Sequence, residues 1–302
     1  MRGRFAPSPT GPLHLGNLRT ALVSWLQVQV AGGEWLVRME DLDRVTASVV
    51  HENAQLSDLA LLGMTPDCDV WRQSERFSTY RDAIATLRTD GRVYECFCTR
   101  REIREAASAP HGDLPEGAYP GTCRDLGTAR RAELVAEGRT PALRLRTDGE
   151  QLTVHDLLAG TYVGAVDDVV LQRGDGVPAY NLAVVVDDAA QGVTHVVRGD
   201  DLLPSTPRQR LLQELLGLPT PIYAHVPLVL GPDGTRLAKR HGAVTLADLA
   251  DRGVHAGQVL SMLGASLALC EAGDEVEAQE LVPRFDLARL PRTPWSLADT
   301  HL

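Results

Sequence analysis

The feature that most constrains this chain is its glycine- and proline-rich opening, Arg4-Phe5-Ala6-Pro7-Ser8-Pro9-Thr10-Gly11-Pro12-Leu13-His14-Leu15-Gly16-Asn17. Residues 2–6 read as a short buried strand, and Leu15 to Val30 carries Leu18, Leu22, Trp25 and Leu26 at helical spacing before Gly32-Gly33. The turn between them delivers small residues and one imidazole to a helix N-terminus, where free N–H groups and the helix dipole favour phosphate. Gly11 and Gly16 permit close backbone approach to a flat or charged ligand. His14 and, one turn on, Asn17 are placed to donate hydrogen bonds to phosphate oxygens.

The order of elements extends this beginning. Trp35 to Met39 is a second strand with Glu40-Asp41 at its C-terminal end, Thr46 is placed to cap a helix running to Leu62, and another helix spans Phe77 to Thr89. A β-α-β-α order implies a parallel sheet with right-handed crossovers, and so an α/β, Rossmann-type nucleotide-binding fold with its ligand beyond the carboxyl ends of the strands. Residues 96–140, rich in Cys, Gly, Pro and Arg, read as an insertion with helices near 99–107 and 127–137. Segments 141–146, 151–155, 161–166 and 168–172, with Asp-Gly turns at 148–149 and 175–176, predict one small mixed or antiparallel unit. The parallel theme returns with a helix over Leu182 to Asp188, a strand over Thr194 to Arg198 and a helix from Thr206 to Leu216. A strand from Ile222 to Leu230, interrupted by Pro227, follows, and Leu246 to Ala265 holds two short helices separated by Gly253. The expected organisation is a first half-domain at 1–95, an inserted subdomain at 96–175, the second half-domain at 176–242 and a short helical C-terminal region at 243–302.

Composition narrows the function classes. With 44% apolar residues in 302, a sizeable core can form. There is no apolar run long enough for a membrane span, and Met1-Arg2-Gly3-Arg4-Phe5 has no signal-peptide character, so a cytoplasmic protein is expected. A net charge of −10 argues against indiscriminate nucleic-acid binding. Arg100, Arg101, Arg104, Arg124, Arg130, Arg131 and Arg139 read either as a local basic groove or as a solvated helix surface. Three of the five cysteines, Cys96, Cys98 and Cys123, crowd into the insertion, which points to metal rather than to a disulfide framework. Zinc takes four tetrahedral ligands, and spacing alone nominates His111 as the fourth. Cys68 and Cys270 read as small core or loop residues.

A second loop, Gly231-Pro232-Asp233-Gly234-Thr235-Arg236-Leu237-Ala238-Lys239-Arg240, puts the Lys239 ammonium on a flexible turn. Two phosphate-handling elements at opposite ends of one domain suggest an enzyme that activates something with a nucleoside triphosphate.

Together these segments resemble the signatures of class I aminoacyl-tRNA synthetases in their glutamyl form. His14-Leu15-Gly16-Asn17 resembles the H-I-G-H tetrad, and Arg236-Leu237-Ala238-Lys239-Arg240 resembles K-M-S-K-S, with Arg236 in place of a lysine and Ala238 in place of the serine. Tyr180 to Asp188 and Val197 to Leu202 also look like glutamyl-enzyme segments, and the resemblance spans roughly residues 2 to 265. It implies formation of an aminoacyl adenylate from ATP with Mg²⁺, chemistry that is mostly positioning and charge stabilisation. By that resemblance His14, Gly16, Asn17 and Lys239 hold ATP, with Lys239 on the leaving pyrophosphate. L-glutamate would be bound by Arg4, Phe5, Ala6, Pro7, Ser8, Glu40, Tyr180 and Arg198, the arginines taking carboxylate and Glu40 facing the ammonium. For the metal, the resemblance points to Tyr119 instead of His111, in a C-x-C…Y-x-x-x-C pattern with one structural zinc.

Residues 240–302 are too few for the anticodon-reading domain of a full glutamyl-tRNA synthetase. The resemblance is therefore nearest the glutamyl-Q tRNA(Asp) synthetases. It implies tRNA-independent activation of glutamate, then transfer to the queuosine base in the anticodon loop of tRNA-Asp, by a monomer. A shortened synthetase charging the acceptor end, or a tRNA-binding module without catalysis, stays open beside it.

Overall fold

The computed structural model describes residues 1–107, 118–237 and 244–297. The first half of the main sheet is built as the sequence predicts, with an additional two-residue edge strand beside the second strand. Strand β1 (Arg2–Phe5) leads through the proline-rich turn into α1 (Leu15–Val30), then β2 (Glu34–Met39), α2 (Val49–Leu61), β3 (Trp71–Arg72) and α3 (Phe77–Thr89). The cap of α2 is Ser48, whose Oγ accepts the His51 N–H; the expected Thr46 instead donates to Asp43 in the preceding turn. The intervening segment holds β4 (Val93–Cys96), α4 (Arg100–Ala107), α5 (Thr128–Ala136), β5 (Ala142–Leu145), β6 (Gln151–Asp156), β7 (Gly160–Ala165) and β8 (Val170–Gln172). The second half brings α6 (Tyr180–Ala190), β9 (His195–Gly199), α7 (Thr206–Leu215), β10 (Ile222–Val226) and β11 (Val229–Leu230). Beyond them lie α8 (Leu246–Ala250), α9 (Ala256–Ser266), α10 (Ala278–Leu281) and β12 (Trp295–Ser296).

The main sheet has seven strands in the order β3-β2-β1-β9-β10-β6-β7. Six are parallel, and β7 closes the edge antiparallel to β6. This divides the single unit expected over 141–172. Strand β5 pairs antiparallel with β4 on one side and β8 on the other in a separate three-stranded sheet, whereas the β6–β7 hairpin joins the main sheet through β10. Local alternation predicts each strand but carries no information about which distant edge it meets.

Helix α1 is the hinge of the architecture. Eleven of its sixteen residues are buried, because it lies between the sheet on one side and α9 with the C-terminal segment on the other. Its contact with β1 is close enough to require Gly3, where a Cβ would stand 2.5 Å from Val28 Cγ2. Trp35 Nε1 donates to Ser24 Oγ, which donates in turn to the Arg4 carbonyl, tying α1 to both β1 and β2. Buried Arg19 fastens the other face, donating to the Pro227 carbonyl at the strand break and to Ser266. The strand from Ile222 does break at Pro227, and β11 beyond it finds a parallel partner in β12, a pairing separated by about sixty residues.

Candidate active site

The carboxyl ends of β1, β2 and β9 open into a cavity of about 710 Å³. Its walls include Arg4, Phe5, Ala6, Pro7, Ser8, His14, Gly16, Asn17, Glu40, Tyr180 and Arg198, so the structure brings these sequence-nominated residues to one place. The turn that carries several of them is held from outside. Gln55 of α2 donates through Nε2 to the Ser8 and Gly11 carbonyls, Ser48 N–H to the Pro9 carbonyl and Glu40 N–H to the Pro7 carbonyl.

At the start of α1, His14 and Asn17 form a reciprocal cap. His14 Nδ1 accepts the Asn17 N–H at 3.2 Å, and Asn17 Oδ1 accepts the His14 N–H at 3.1 Å. Burial, followed by the nearby Arg236 guanidinium, holds the imidazole below its ordinary pKa, so it is neutral at pH 7. With Nδ1 accepting, the proton of the neutral ring sits on Nε2, which becomes a donor; Asn17 likewise keeps its Nδ2 donors. At Gly16 a Cβ would stand 3.0 Å from the His14 ring, so only glycine leaves the imidazole unhindered.

Lys239 and Ala238 lie outside the described residues, as does His111. The flanks of the Lys239 loop are nonetheless fixed beside His14. Arg236 lines the cavity and pairs with Asp201 at 2.6 Å, Leu237 N–H donates to the Val229 carbonyl, and Leu15 N–H donates to the Val244 carbonyl.

Three arginines line the cavity, and their partners differ. Arg236 has Asp201. Arg4 has Asp188, with Nε 3.2 Å from Oδ1 and Nη2 3.4 Å from Oδ2. Arg198 is 5% exposed and donates only to neutral acceptors: His225 Nε2 at 3.0 Å, Gln209 Oε1 at 2.7 Å and Thr206 Oγ1 at 2.9 Å. Among the described residues no carboxylate pairs with it. A buried guanidinium whose hydrogen bonds are satisfied but whose charge is not cancelled is poised to receive an anion.

Asp188 belongs to a buried ionic cluster that the sequence did not disclose as such. Arg38 lies 2.8 Å from Asp188, 3.7 Å from Asp187 and 3.5 Å from Glu40. Asp187 also accepts from Gln73, Tyr80 and Arg76. Burial raises the Asp188 carboxyl, but Arg4 and Arg38 outweigh it and hold it below the usual range. Glu40 goes the other way: its side chain is 9% exposed, and burial outweighs Arg38 and Arg4 to push it up to about 7. The available signal was an acidic pair, Asp187-Asp188, directly continuing the apolar run Leu182 to Val186, and an arginine inside the apolar strand 35–39.

A second chamber of about 600 Å³ shares Ser8, Glu40 and Tyr180 with the first and runs toward Cys98, Arg100 and Arg144. At its far side, Cys96, Cys98 and Cys123 converge with their sulfur atoms within 4.8 Å of one another. Tyr119 Oη stands 3.3 Å from Cys96 Sγ and 3.6 Å from Cys98 Sγ, and it accepts the Cys123 N–H at 2.8 Å. The Arg144 guanidinium lies 3.7 Å over the Tyr119 ring. Three thiols and a phenol oxygen meeting at one buried point fit a tetrahedral metal. Four of the seven clustered arginines are answered by carboxylates. Arg124 pairs with Asp168, Arg130 with Glu133, Arg131 with Glu95 and Arg139 with Glu102.

Comparison with known proteins agrees with this geometry. All 302 residues match the family described as tRNA synthetases class I (E and Q), catalytic domain. A glutamyl-Q tRNA(Asp) synthetase of Nocardia farcinica is 59% identical over 300 residues, covering 99% of this chain and 94% of that protein. A glutamate–tRNA ligase of Nitrosococcus oceani is 40% identical over 292 residues, covering 95% of this chain but 61% of that protein. The crystal structure of a glutamate tRNA ligase from Elizabethkingia meningosepticum, solved in complex with its amino acid, superposes with a TM-score of 0.84 at 29% identity, covering 98% of this chain and 66% of that one. The chain belongs to the class I tRNA synthetase family of the glutamate and glutamine type, as a ligase alongside the glutamyl-Q tRNA(Asp) synthetases.

Proposed function

We propose that this enzyme activates L-glutamate with ATP in the absence of tRNA and transfers the glutamyl group to the queuosine base in the anticodon loop of tRNA-Asp. The observation that carries the reading is Arg198, a buried guanidinium without a carboxylate partner among the described residues, in the same cavity as the His14–Asn17 helix cap. An acidic side chain on Arg198 and a triphosphate at the N-terminus of α1 place an amino acid beside ATP. The α-carboxylate oxygen then attacks the α-phosphorus, the bond to the β-phosphate breaks and pyrophosphate leaves. In the second step the acceptor nucleophile attacks the acyl carbon, loses its proton, and AMP leaves. No side chain need act as a covalent nucleophile.

His14 Nε2 and Asn17 Nδ2 serve as donors to phosphate oxygens, and Gly16 lets the ligand approach the helix end. Phe5, Ala6, Pro7 and Ser8 form the wall against which the amino acid sits, and the protonated Tyr180 hydroxyl adds a donor. Lys239 acts on the leaving pyrophosphate, and Mg²⁺ brought with ATP supplies further neutralisation of phosphate charge. Lys239→Ala should lower kcat for ATP–pyrophosphate exchange about a hundredfold while moving KM for glutamate little, because its charge acts on the leaving group. Equal losses in kcat and glutamate affinity would contradict that role.

Glu40 is assigned to the substrate ammonium, and this makes a pH prediction. Its carboxyl, ordinarily near 4.5, is raised to about 7 in the folded protein, so it is largely protonated below neutrality. Only the ionised form attracts the ammonium, so KM for glutamate should rise roughly eightfold as pH falls from about 7.5 to about 6. Glu40→Gln should raise KM at high pH and flatten this dependence; a variant with the wild-type slope would remove Glu40 from the site.

One zinc, held by Cys96, Cys98, Cys123 and Tyr119, would pin the end of β4 to the loop before α5. Support for queuosine as acceptor comes from the 59% identity to a glutamyl-Q tRNA(Asp) synthetase and from the second chamber open to the activation site. The test is transfer of labelled glutamate to tRNA-Asp with and without queuosine, alongside pyrophosphate exchange without RNA. Transfer only to the modified tRNA, with RNA-independent exchange, is expected. Exchange that strictly requires RNA would favour acceptor-end charging, and no exchange under any condition would leave a binding module.

A further inference from the structure

Beneath Arg198 lies a buried pair that the adenylation chemistry does not itself use. His225 on β10 is 1% exposed, and Asp156, at the end of β6, is 7% exposed. Asp156 Oδ2 stands 2.6 Å from His225 Nδ1, and His225 Nε2 accepts from Arg198 Nε at 3.0 Å and faces Thr206 Oγ1 at 3.3 Å. The opposite oxygen, Asp156 Oδ1, is occupied by the N–H groups of Leu158, Ala159 and His225. The carboxylate therefore has one oxygen committed to backbone donors and the other to the imidazole.

This arrangement fixes a tautomer. Nδ1 carries the proton toward Asp156, and the Nε2 lone pair faces the guanidinium. Burial, with Arg198 nearby, holds the imidazole below its ordinary pKa against the pull of Asp156, so it accepts as a neutral ring. We propose that Asp156 and His225 are positioning residues for amino-acid recognition: they orient Arg198 with a neutral acceptor and leave its charge for the substrate's acidic side chain. A carboxylate in the place of His225 would orient the guanidinium equally well and cancel the charge the substrate needs. The inference rests on Arg198 as the glutamate-binding cation.

Asp156→Asn is the sharp probe. Three backbone donors demand the amide oxygen at the Oδ1 position, which turns the amide NH₂ toward His225 Nδ1. The imidazole must then accept there and carry its proton on Nε2, opposite Arg198 Nε–H. Two donors face each other, and Arg198 loses an anchor. In pyrophosphate exchange, KM for L-glutamate should rise about tenfold or more, with KM for ATP within about twofold of wild type, the scale of one misdirected charge-assisted hydrogen bond. His225→Gln, which can return an oxygen acceptor to the Nε2 position, should stay closer to wild type than His225→Leu, which has none. Should Asp156→Asn not fold, that pair carries the test. Glutamate and ATP constants rising together, or Gln and Leu behaving alike, would reduce the pair to a structural role and overturn the proposal. Arg198→Ala, measured in parallel, separates the two failures: if it leaves KM for glutamate unchanged, the site reading itself is wrong.

Discussion

Arg198→Ala is expected to raise KM for L-glutamate about a thousandfold in ATP–pyrophosphate exchange, with KM for ATP nearly unchanged. Truncating one partner of a buried, hydrogen-bonded charge pair costs roughly 2–5 kcal/mol, which spans about thirtyfold to several thousandfold. The upper part of that range applies because Arg198 faces no carboxylate of the protein among the described residues, whereas Arg4 already shares Asp188 and Arg236 already holds Asp201. Arg4→Ala should consequently act through the Asp188–Arg38 cluster as much as through the substrate, and should cost stability as well as affinity. Arg198→Lys should recover only part of the loss, since an ammonium cannot reproduce the fork held by His225, Gln209 and Thr206. Gln209→Glu isolates charge from geometry. It keeps an acceptor on Arg198 Nη1 but adds a negative charge, and it should weaken glutamate binding with the guanidinium still in place. Glutamate binding that is indifferent to both Arg198→Ala and Gln209→Glu would place the substrate's side chain elsewhere.

Loss of the proposed zinc should have the other large effect, and it should fall on a different step. Structural zinc contributes on the order of 10 kcal/mol to folding of the segment that binds it. Here that segment is the end of β4 and the Tyr119–Cys123 loop, which Tyr119 N–H also ties to Asp167. Metal analysis should find about one zinc per chain. Cys98→Ser should lose most of it and become sensitive to protease between 97 and 127. Activation of glutamate should stay within about threefold, because no metal-site residue lines the His14 cavity. Transfer to RNA should drop by about tenfold or more, because Cys98 borders the second chamber. Full zinc retention in Cys98→Ser would refute the ligand set, and equal loss of both steps would mean that the two chambers do not divide the work.

Much of the fold was legible because its elements are locally determined. The run from the proline-rich turn to Gly32 carries its own start and stop signals, and α1 spans Leu15–Val30 as the periodicity predicts; α3 spans Phe77–Thr89 for the same reason. The cap of α2 moved from Thr46 to Ser48 because two hydroxyls lie within one turn, and the Asp43 carboxylate captures the first. The C-terminal region, expected to be helical, also holds β12, a two-residue strand whose pairing with β11 no local pattern announces. The arginine cluster illustrates the limit of composition, since four of its seven charges, those of Arg124, Arg130, Arg131 and Arg139, are answered by Asp168, Glu133, Glu95 and Glu102.

From the sequence by itself came the α/β class, the helix start at His14 and Asn17, and the grouping of Cys96, Cys98 and Cys123. Each depends on residues close together along the chain, so their chemistry is readable in order. Tertiary structure alone decided that Arg4 would be neutralised by Asp188 and that Arg198 would have no such partner among the described residues, because which charges meet is settled by the packing of β1 and β9 against helices far away in sequence. It also carried Asp156, on a hairpin that sequence pattern assigned to the insertion, across to β10 and under the guanidinium. Strand pairing obeys edge geometry and burial rather than sequence neighbourhood, and the electrostatics of this pocket follow from it.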